Sequence, residues 1–268
     1  MNKFLSFLSL AILLVSCSPY QKALKSDDVE LKAQVANRMY ERNKFDKALR
    51  LYEQVAPAYK GKPTSEILFY NYSKSLYNTK QYYLAGYQFE NFAVSYPKSD
   101  KREEASFLAS ECFYRLSPTY SLDQTDTDKA LEKLQRFIDN YPDSEYLPKA
   151  NAYVKELREK LEKKAFEIAK QYHKIADYRL EYNAALKTLE NFIADFPGTQ
   201  YKEEAMFLRF DTAYRYAKNS IQAKKEERYN AAKTLYNSLL KFRPNSIYKE
   251  EADKILADIE QELKQFSK

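Results

Sequence analysis

The chain has 268 residues, 44% hydrophobic and 31% charged, with 3 Gly and 9 Pro. That much apolar material can build a sizeable core, and so few breakers exclude collagen-like, linker-like and turn-rich β architectures in favour of helices. The net charge of +6 is the remainder of 44 basic and 38 acidic residues interleaved along the chain. Nucleic-acid binding needs a concentrated basic face, so no nucleic-acid partner is expected.

At the N-terminus, Lys3 precedes an apolar run from Phe4 to Val15. The run falls short of the roughly 20 residues that span a bilayer and suits the h-region of a secretory signal. It ends in Leu14-Val15-Ser16-Cys17, which resembles the lipobox of bacterial lipoproteins. That resemblance implies a signal peptide over 1–16, cleavage before Cys17, a diacylglycerol on its sulfur and acylation (palmitate) of the new amine. Two or three chains hold a protein on a membrane where one does so marginally. Residues 17–26 then read as an extended lipidated tether and 27–268 as the folded domain. With Cys17 lipidated, Cys112 has no disulfide partner. It lies among Phe107, Leu108, Phe113 and Leu116, where a buried small hydrophobe is expected.

The next elements repeat. Aligning the chain on Pro97, Pro142, Pro197 and Pro244 places an alanine twelve residues before each (Ala85, Ala130, Ala185, Ala232) and another eight residues after (Ala105, Ala150, Ala205, Ala252). Five residues before stand Phe92, Phe137, Phe192 and Leu239; two after stand Ser99, Ser144, Thr199 and Ser246; four after three of them stand Tyr146, Tyr201 and Tyr248. Small alanines let two helices approach, the proline stops the helix behind it, and the Ser or Thr is placed to N-cap the next helix. An earlier copy runs from Phe45 to Tyr52, followed by Gly61 and Pro63. The pattern predicts an all-α solenoid of about five helix pairs, each covering the next and together forming a concave groove. Alanine, large aromatic and helix-terminal proline in this order resemble the tetratricopeptide repeat (TPR). The departure is the spacing of 45, 55 and 47 residues between prolines, against about 34 in a regular repeat. No breaker follows Pro148 before Ala176, so one helix there is expected to be very long.

Little in the chain carries reaction chemistry. The single His173 and one remote Cys do not make a zinc set, and the three isolated glycines, Gly61, Gly86 and Gly198, make no phosphate loop. Glu103-Glu104, Glu203-Glu204 and Glu250-Glu251 recur in first turns, where acids suit the helix macrodipole. The stretch Ser117 to Asp128 is acidic, yet registers starting at Asp123 or Asp126 lack the glycine of a calcium loop. Its Thr and Asp residues are expected to cap a helix starting near Lys129. No enzyme activity, metal or cofactor is expected.

The run Asp123-Gln124-Thr125-Asp126-Thr127-Asp128, leading through Ala130 and Phe137 to Tyr141-Pro142-Asp143-Ser144-Glu145-Tyr146, resembles the BamD family of outer-membrane assembly lipoproteins. Tyr172 and Phe196-Pro197-Gly198-Thr199-Gln200 fit the same family, and the likeness covers nearly all of the chain after Cys17. It implies a lipid-anchored subunit on the periplasmic face of the outer membrane, in the β-barrel assembly (BAM) complex. By the same resemblance, the C-terminal repeats (145–268) bind the periplasmic domains of the insertase BamA, and the N-terminal repeats (27–140) receive unfolded barrel proteins. Other assembly lipoproteins are possible companions. Substrate strands of alternating aromatic and apolar residues suit a groove offering tyrosines, and Tyr40, Tyr70, Asn71, Lys74 and Tyr77 are its candidate lining. For Tyr70 and Tyr77 the alternative is inter-repeat core. Two other functions share the anchor and repeats: a TPR scaffold of peptidoglycan synthesis or division, and a glycan-binding outer-membrane lipoprotein. The first lacks the acidic run, and the second is about twice as long and leans on tryptophans this chain does not have.

Overall fold

The computed structural model describes residues 18–266; the expected signal segment and Cys17 lie outside the described residues. Twelve α-helices and no strand occur among the described residues. In chain order they are α1 (Pro19–Lys25), α2 (Val29–Glu41), α3 (Phe45–Tyr59), α4 (Glu66–Asn78), α5 (Tyr82–Ser95), α6 (Arg102–Leu116), α7 (Thr125–Asn140), α8 (Leu147–Arg179), α9 (Tyr182–Asp195), α10 (Lys202–Lys218), α11 (Gln222–Phe242) and α12 (Lys249–Leu263). Short 3₁₀ turns cover Pro63–Ser65 and Lys264–Phe266. Helices neighbouring in sequence pack as the pairs α2/α3, α4/α5, α6/α7 and α10/α11. The uninterrupted run beyond Pro148 is α8, which supplies the first helix of the pair completed by α9. Five pairs plus α1 and α12 make an all-α repeat structure.

The alanine logic of the sequence holds at every copy. Ala85, Ala130, Ala185 and Ala232, and Ala105, Ala150, Ala205 and Ala252, are all fully buried, with Phe92, Phe137, Phe192 and Leu239 filling the space beside them. Enlarging one of these alanines would cost about 1–3 kcal/mol in overpacking. Gly86 is tighter still: a Cβ there would meet the Phe113 ring at 3.1 Å and Cys112 Cβ at 3.3 Å, so the residue permits α5 to lie against α6. Cys112 is fully buried, and burial pushes its thiol up to about 12; it is the apolar filler expected.

The chain forms two compact units, one ending at Leu157 and the other beginning at Arg158, so the division falls inside α8. In the first unit the cores are Tyr20, Ala36, Leu51, Tyr52 and Val55 around α1 to α3, and Leu76, Phe89, Phe107, Phe113 and Leu134 beyond them. In the second they are Phe166, Leu189 and Phe192, and Phe210, Tyr229, Leu239 and Ile259.

Three local expectations are corrected. Residues 18–26 are not an extended tether: Ser18 accepts the Gln21 N–H and caps α1, and Tyr20 and Ala23 are buried against α2 and α3. Pro19 suits the first turn of a helix, and two apolar residues three apart give it a face to bury. The helix after the acidic stretch starts at Thr125 rather than near Lys129. Asp123 accepts the Thr125 N–H at 2.9 Å, and buried Gln124 donates to Thr119 and Leu122 carbonyls, so the loop organises itself before the helix. Finally, Ser99, Ser144, Thr199 and Ser246 are not N-caps. Each hydroxyl accepts the N–H two residues on, at 3.0 to 3.1 Å, closing a small turn one step ahead of the helix.

Candidate tyrosine-lined recognition face

The first helices of successive pairs lie side by side, and one set of repeat positions ties each to the next. The Ser or Thr of each turn donates backwards to a glutamate of the preceding first helix: Ser99 to Glu66 at 2.6 Å, Ser144 to Glu103 at 2.5 Å, Thr199 to Glu162 at 2.5 Å. Glu203 serves the last turn, bonding Ser246, Arg243 and the Ile247 N–H. The paired glutamates therefore do more than complement a helix dipole. In each pair one reaches forward (Glu103, Glu203) and the other backward, Glu104 to Lys74 at 3.2 Å and Glu204 to Lys170 at 2.8 Å. Glu250 pairs with Lys254 on its own helix.

Rings form a second ladder. Tyr146 stacks on Phe107, Tyr201 on Phe166 and Tyr248 on Phe207, with centroids 4.6 to 4.7 Å apart. In the first copy the tyrosine is replaced by Lys101, whose ammonium sits 4.8 Å from the Tyr70 ring centroid. A cation over a π face takes the place of ring stacking.

In the first unit these ladders converge on a polar face built of aromatic side chains. Tyr40 from α2 and Tyr70 from α4 are turned toward Glu104 of α6, and Tyr146 adds its phenol from the next turn; burial first, and the Glu104 charge after it, raise the Tyr40 and Tyr70 hydroxyls above their usual range. Asn71 approaches the Tyr52 hydroxyl, which donates to Asn37 at 2.7 Å. Beside this group lies a second one centred on Glu111. This carboxylate is 1% exposed and accepts from Tyr77 (3.0 Å), Tyr153 (3.0 Å), Arg115 (2.7 Å) and Lys149 (3.2 Å). Burial opposes its charge, yet the four donors together hold it below the usual carboxylate value. Tyr114 stacks on Tyr153 at 3.8 Å and donates to Glu156 at 2.6 Å.

The five candidates thus fall into three roles. Tyr40 and Lys74 are partly exposed beside Glu104, and Asn71 is partly exposed beside Tyr52. Tyr77 is the edge of the Glu111 group, with Arg115 over its ring. Tyr70 is 6% exposed and packs on Phe89 and Phe92, which is the core alternative. Sequence reading missed Lys101, Glu104, Glu111, Tyr146 and Tyr153. The signal was present in the alignment: Lys101 stands where later copies carry tyrosine, and Glu111 lies six residues after the repeat alanine Ala105, as Asp211 does after Ala205.

Comparison with known proteins decides the family. The model of YfiO, described as an outer membrane lipoprotein family, matches residues 29–179 and 176–266. The chain belongs to this YfiO family. A curated relative from Aquifex aeolicus (strain VF5), carrying the provisional name outer membrane protein assembly factor BamD, is 29% identical over 239 residues, covering 84% of this chain and 71% of its own. Among solved structures, the TPR2AB domain of yeast Sti1 in complex with pHSP90 aligns at TM-score 0.39 and 15% identity over 87% of this chain and 98% of that one. YrrB, a TPR protein with an unusual peptide-binding site, aligns at TM-score 0.30 and 16% identity over 88% and 97%.

YfiO family membership makes this chain a relative of outer membrane lipoproteins and a homologue of a protein named as an outer membrane protein assembly factor. No helix among the described residues is long and apolar enough to cross a membrane. The second unit carries the same positions with different chemistry. Arg215 Nη2 lies 2.7 Å from His173 Nδ1 and 3.1 Å from Nε2, and Nε2 is 3.7 Å from Asp211. Burial, and the Arg215 charge after it, push His173 down to about 4. Asp211 is raised, first by burial and then by the facing Glu251 against the opposing pull of Arg215.

Proposed function

We propose that this chain is a non-enzymatic, lipid-anchored subunit of the outer-membrane β-barrel assembly machinery. The observation that carries the reading is family membership together with a tyrosine-lined face in the first unit. On this reading Cys17 holds the lipid. The face of α2, α4, α6 and the start of α8 receives extended segments of unfolded barrel proteins, and the second unit binds the periplasmic domains of the insertase. Tyr40, Asn71, Lys74 and Tyr77 are the contact residues, together with Lys101 and Tyr146, whose positions beside Tyr70 and Glu104 support the reading.

The chemistry supports a grip that releases. Phenol rings offer apolar contact and a hydroxyl that bonds to peptide groups. Lys74, Glu104 and Glu111 already have partners within the protein, so a peptide gains little from them and affinity rests on many weak contacts.

The test is to tag the C-terminus, extract envelopes in mild detergent and identify what co-purifies at near-equal amounts. A large barrel protein with periplasmic repeat domains is expected. Photo-crosslinkers at Tyr40, Asn71 and Lys74 should capture newly made barrel proteins, and one at Tyr70 should not. Recovery of peptidoglycan enzymes or a nutrient transporter alone would reject the reading.

A further inference from the structure

The first unit carries a positive surface apart from the tyrosine-lined face, where α1 meets the first pair. α1 is held in place from both sides. Ser18 accepts the Gln21 N–H at 3.3 Å and caps it, and Tyr20 and Ala23 are buried against α2 and α3. The link to α2 is equally ordered. Ser26 Oγ accepts the Asp28 N–H at 3.0 Å, and Asp28 caps α2 by accepting the Glu30 and Leu31 N–H groups at 2.9 and 3.0 Å. Lys47, in the first turn of α3, holds its ammonium 5.3 Å from the Tyr20 ring centroid. The start of α1 therefore lies beside the start of α3, at the end of the pair where residues 42–44 turn the chain from α2 into α3.

This end is cationic. Lys22 of α1, Arg42 and Lys44 of the turn, and Lys47 and Arg50 of α3 are all exposed, and none pairs with a carboxylate among the described residues. The acids at this end are Glu41 and Asp46. At the other end of α2 and α3, Asp27, Asp28 and Glu30 balance Lys25, Lys60 and Lys62. Exposed charges act over a Debye length, about 8–10 Å at ordinary ionic strength. A lipid-bearing Cys17 is bonded directly to Ser18, and Cα atoms across a trans peptide stand about 3.8 Å apart. The membrane surface then begins within reach of these cations, with no slack segment between the attachment point and the fold.

We propose that Lys22, Arg42, Lys44, Lys47 and Arg50 dock the first pair on anionic phospholipid headgroups of the membrane that holds Cys17. The anchor and the patch together fix how the first unit faces the bilayer, with the 42–44 turn toward it and the turn after α3 away. This orientation rests on the lipid reading of Cys17 and adds an electrostatic contact to it. Acyl chains attach a protein without aiming it, and a basic patch is the kind of second signal that makes such attachment stable. An anionic bilayer is favoured over an acidic protein because the patch is continuous with the point where the lipid joins the chain.

The test is co-sedimentation of the chain from Ser18 onward, which has no anchor, with vesicles of phosphatidylcholine alone or mixed with phosphatidylglycerol. Binding should require the anionic lipid and fall as salt rises, because salt shortens the reach of the charges. The variant K22Q/R42Q/K44Q should bind about fivefold more weakly for each charge removed, on the order of a hundredfold in all. K25Q/K60Q/K62Q removes as many cations from the other end and should leave binding nearly unchanged. Both variants alter exposed side chains only and should keep the unfolding temperature. Equal losses in the two overturn the proposal, since net charge alone would then explain the binding. Binding indifferent to phosphatidylglycerol, or absent, also overturns it. So does a K22Q/R42Q/K44Q variant that binds vesicles normally but loses a co-purifying protein, which would assign the patch to an acidic protein. The mass of the chain extracted from its own membranes checks the anchor separately. An unmodified Cys17 overturns the lipid reading and with it the fixed orientation, whereas a lipid on Cys17 without patch-dependent binding overturns the patch alone.

Discussion

Two repeats place an acid at the same point of the first helix, six residues after the repeat alanine: Glu111 in the first unit and Asp211 in the second. Both have an arginine one turn later, Arg115 and Arg215. Their remaining neighbours part ways. Glu111 gains Lys149 from the next first helix and two tyrosine hydroxyls, and its charge is held. Asp211 faces Glu251 where a lysine stood in the first unit, has a neutral histidine beside it, and its charge is resisted. One backbone frame therefore carries a satisfied buried anion in one unit and a crowded one in the other. The repeat supplies the position, and the residue one repeat later decides its electrostatics.

The largest effect should come from removing the satisfied anion. Glu111→Ala leaves Arg115, Lys149 and two phenols without their shared acceptor and should cost about 3–5 kcal/mol, read as a lower urea midpoint of the purified chain. An effect under about 1 kcal/mol would show that water replaces the carboxylate and that the group is not a buried hub.

Next comes the pH response of the second unit. His173 is neutral in the fold at about 4 and ordinary, near 6.5, in the unfolded chain. The unfolded state thus binds the extra proton first, and stability falls as pH drops from about 6.5 toward 4. The loss should be on the order of 2–3 kcal/mol, and His173→Gln should flatten that part of the profile in urea titrations across pH. Asp211 runs the other way. Its raised value means the folded state keeps a proton the unfolded state has released, so its charge costs stability as pH rises through the carboxylate range. Asp211→Asn should be neutral or stabilising by up to about 1 kcal/mol at neutral pH, since it relieves Glu251 and still faces Arg215. The same change at Glu111 should destabilise. If both asparagine variants behave alike, the contrast between the units is wrong.

The smallest effect is at the ring ladder. Lys101→Tyr restores in the first copy the residue type that stacks in the later three. It should change stability by no more than about 0.5–1.5 kcal/mol, measured by thermal unfolding. The same variant should weaken any substrate contact that needs the ammonium.

Much of the fold was legible because it rests on spacing. The eight alanines, the four bulky residues before the prolines and the long unbroken run after Pro148 each have a one-dimensional signature, and all are buried or helical where expected. The face was less legible. Tyr40, Asn71 and Lys74 are partly exposed on first helices, whereas Tyr70 on the same helix as Asn71 turns inward because its ring meets Phe89 and Phe92 from α5. Glu111 carries no one-dimensional signature, since its four donors come from three different helices. The serine after each proline was seen as important for the wrong bond: local geometry suggested a cap, whereas its hydroxyl proton goes to a glutamate some 33 to 41 residues away in the chain.

Sequence alone determined the helical repeat, its register and the family, because small residues, breakers and aromatics act through neighbours three to five positions away. It also placed the acids and lysines at matching repeat positions. Tertiary structure alone decided which of those charges meet, that Ser18 to Lys25 folds onto the first pair, and that Glu111 is satisfied where Asp211 is crowded. Those outcomes depend on side chains a whole repeat apart, and the strength of a charge in a protein is set by what it faces across that gap and how much water is left between them.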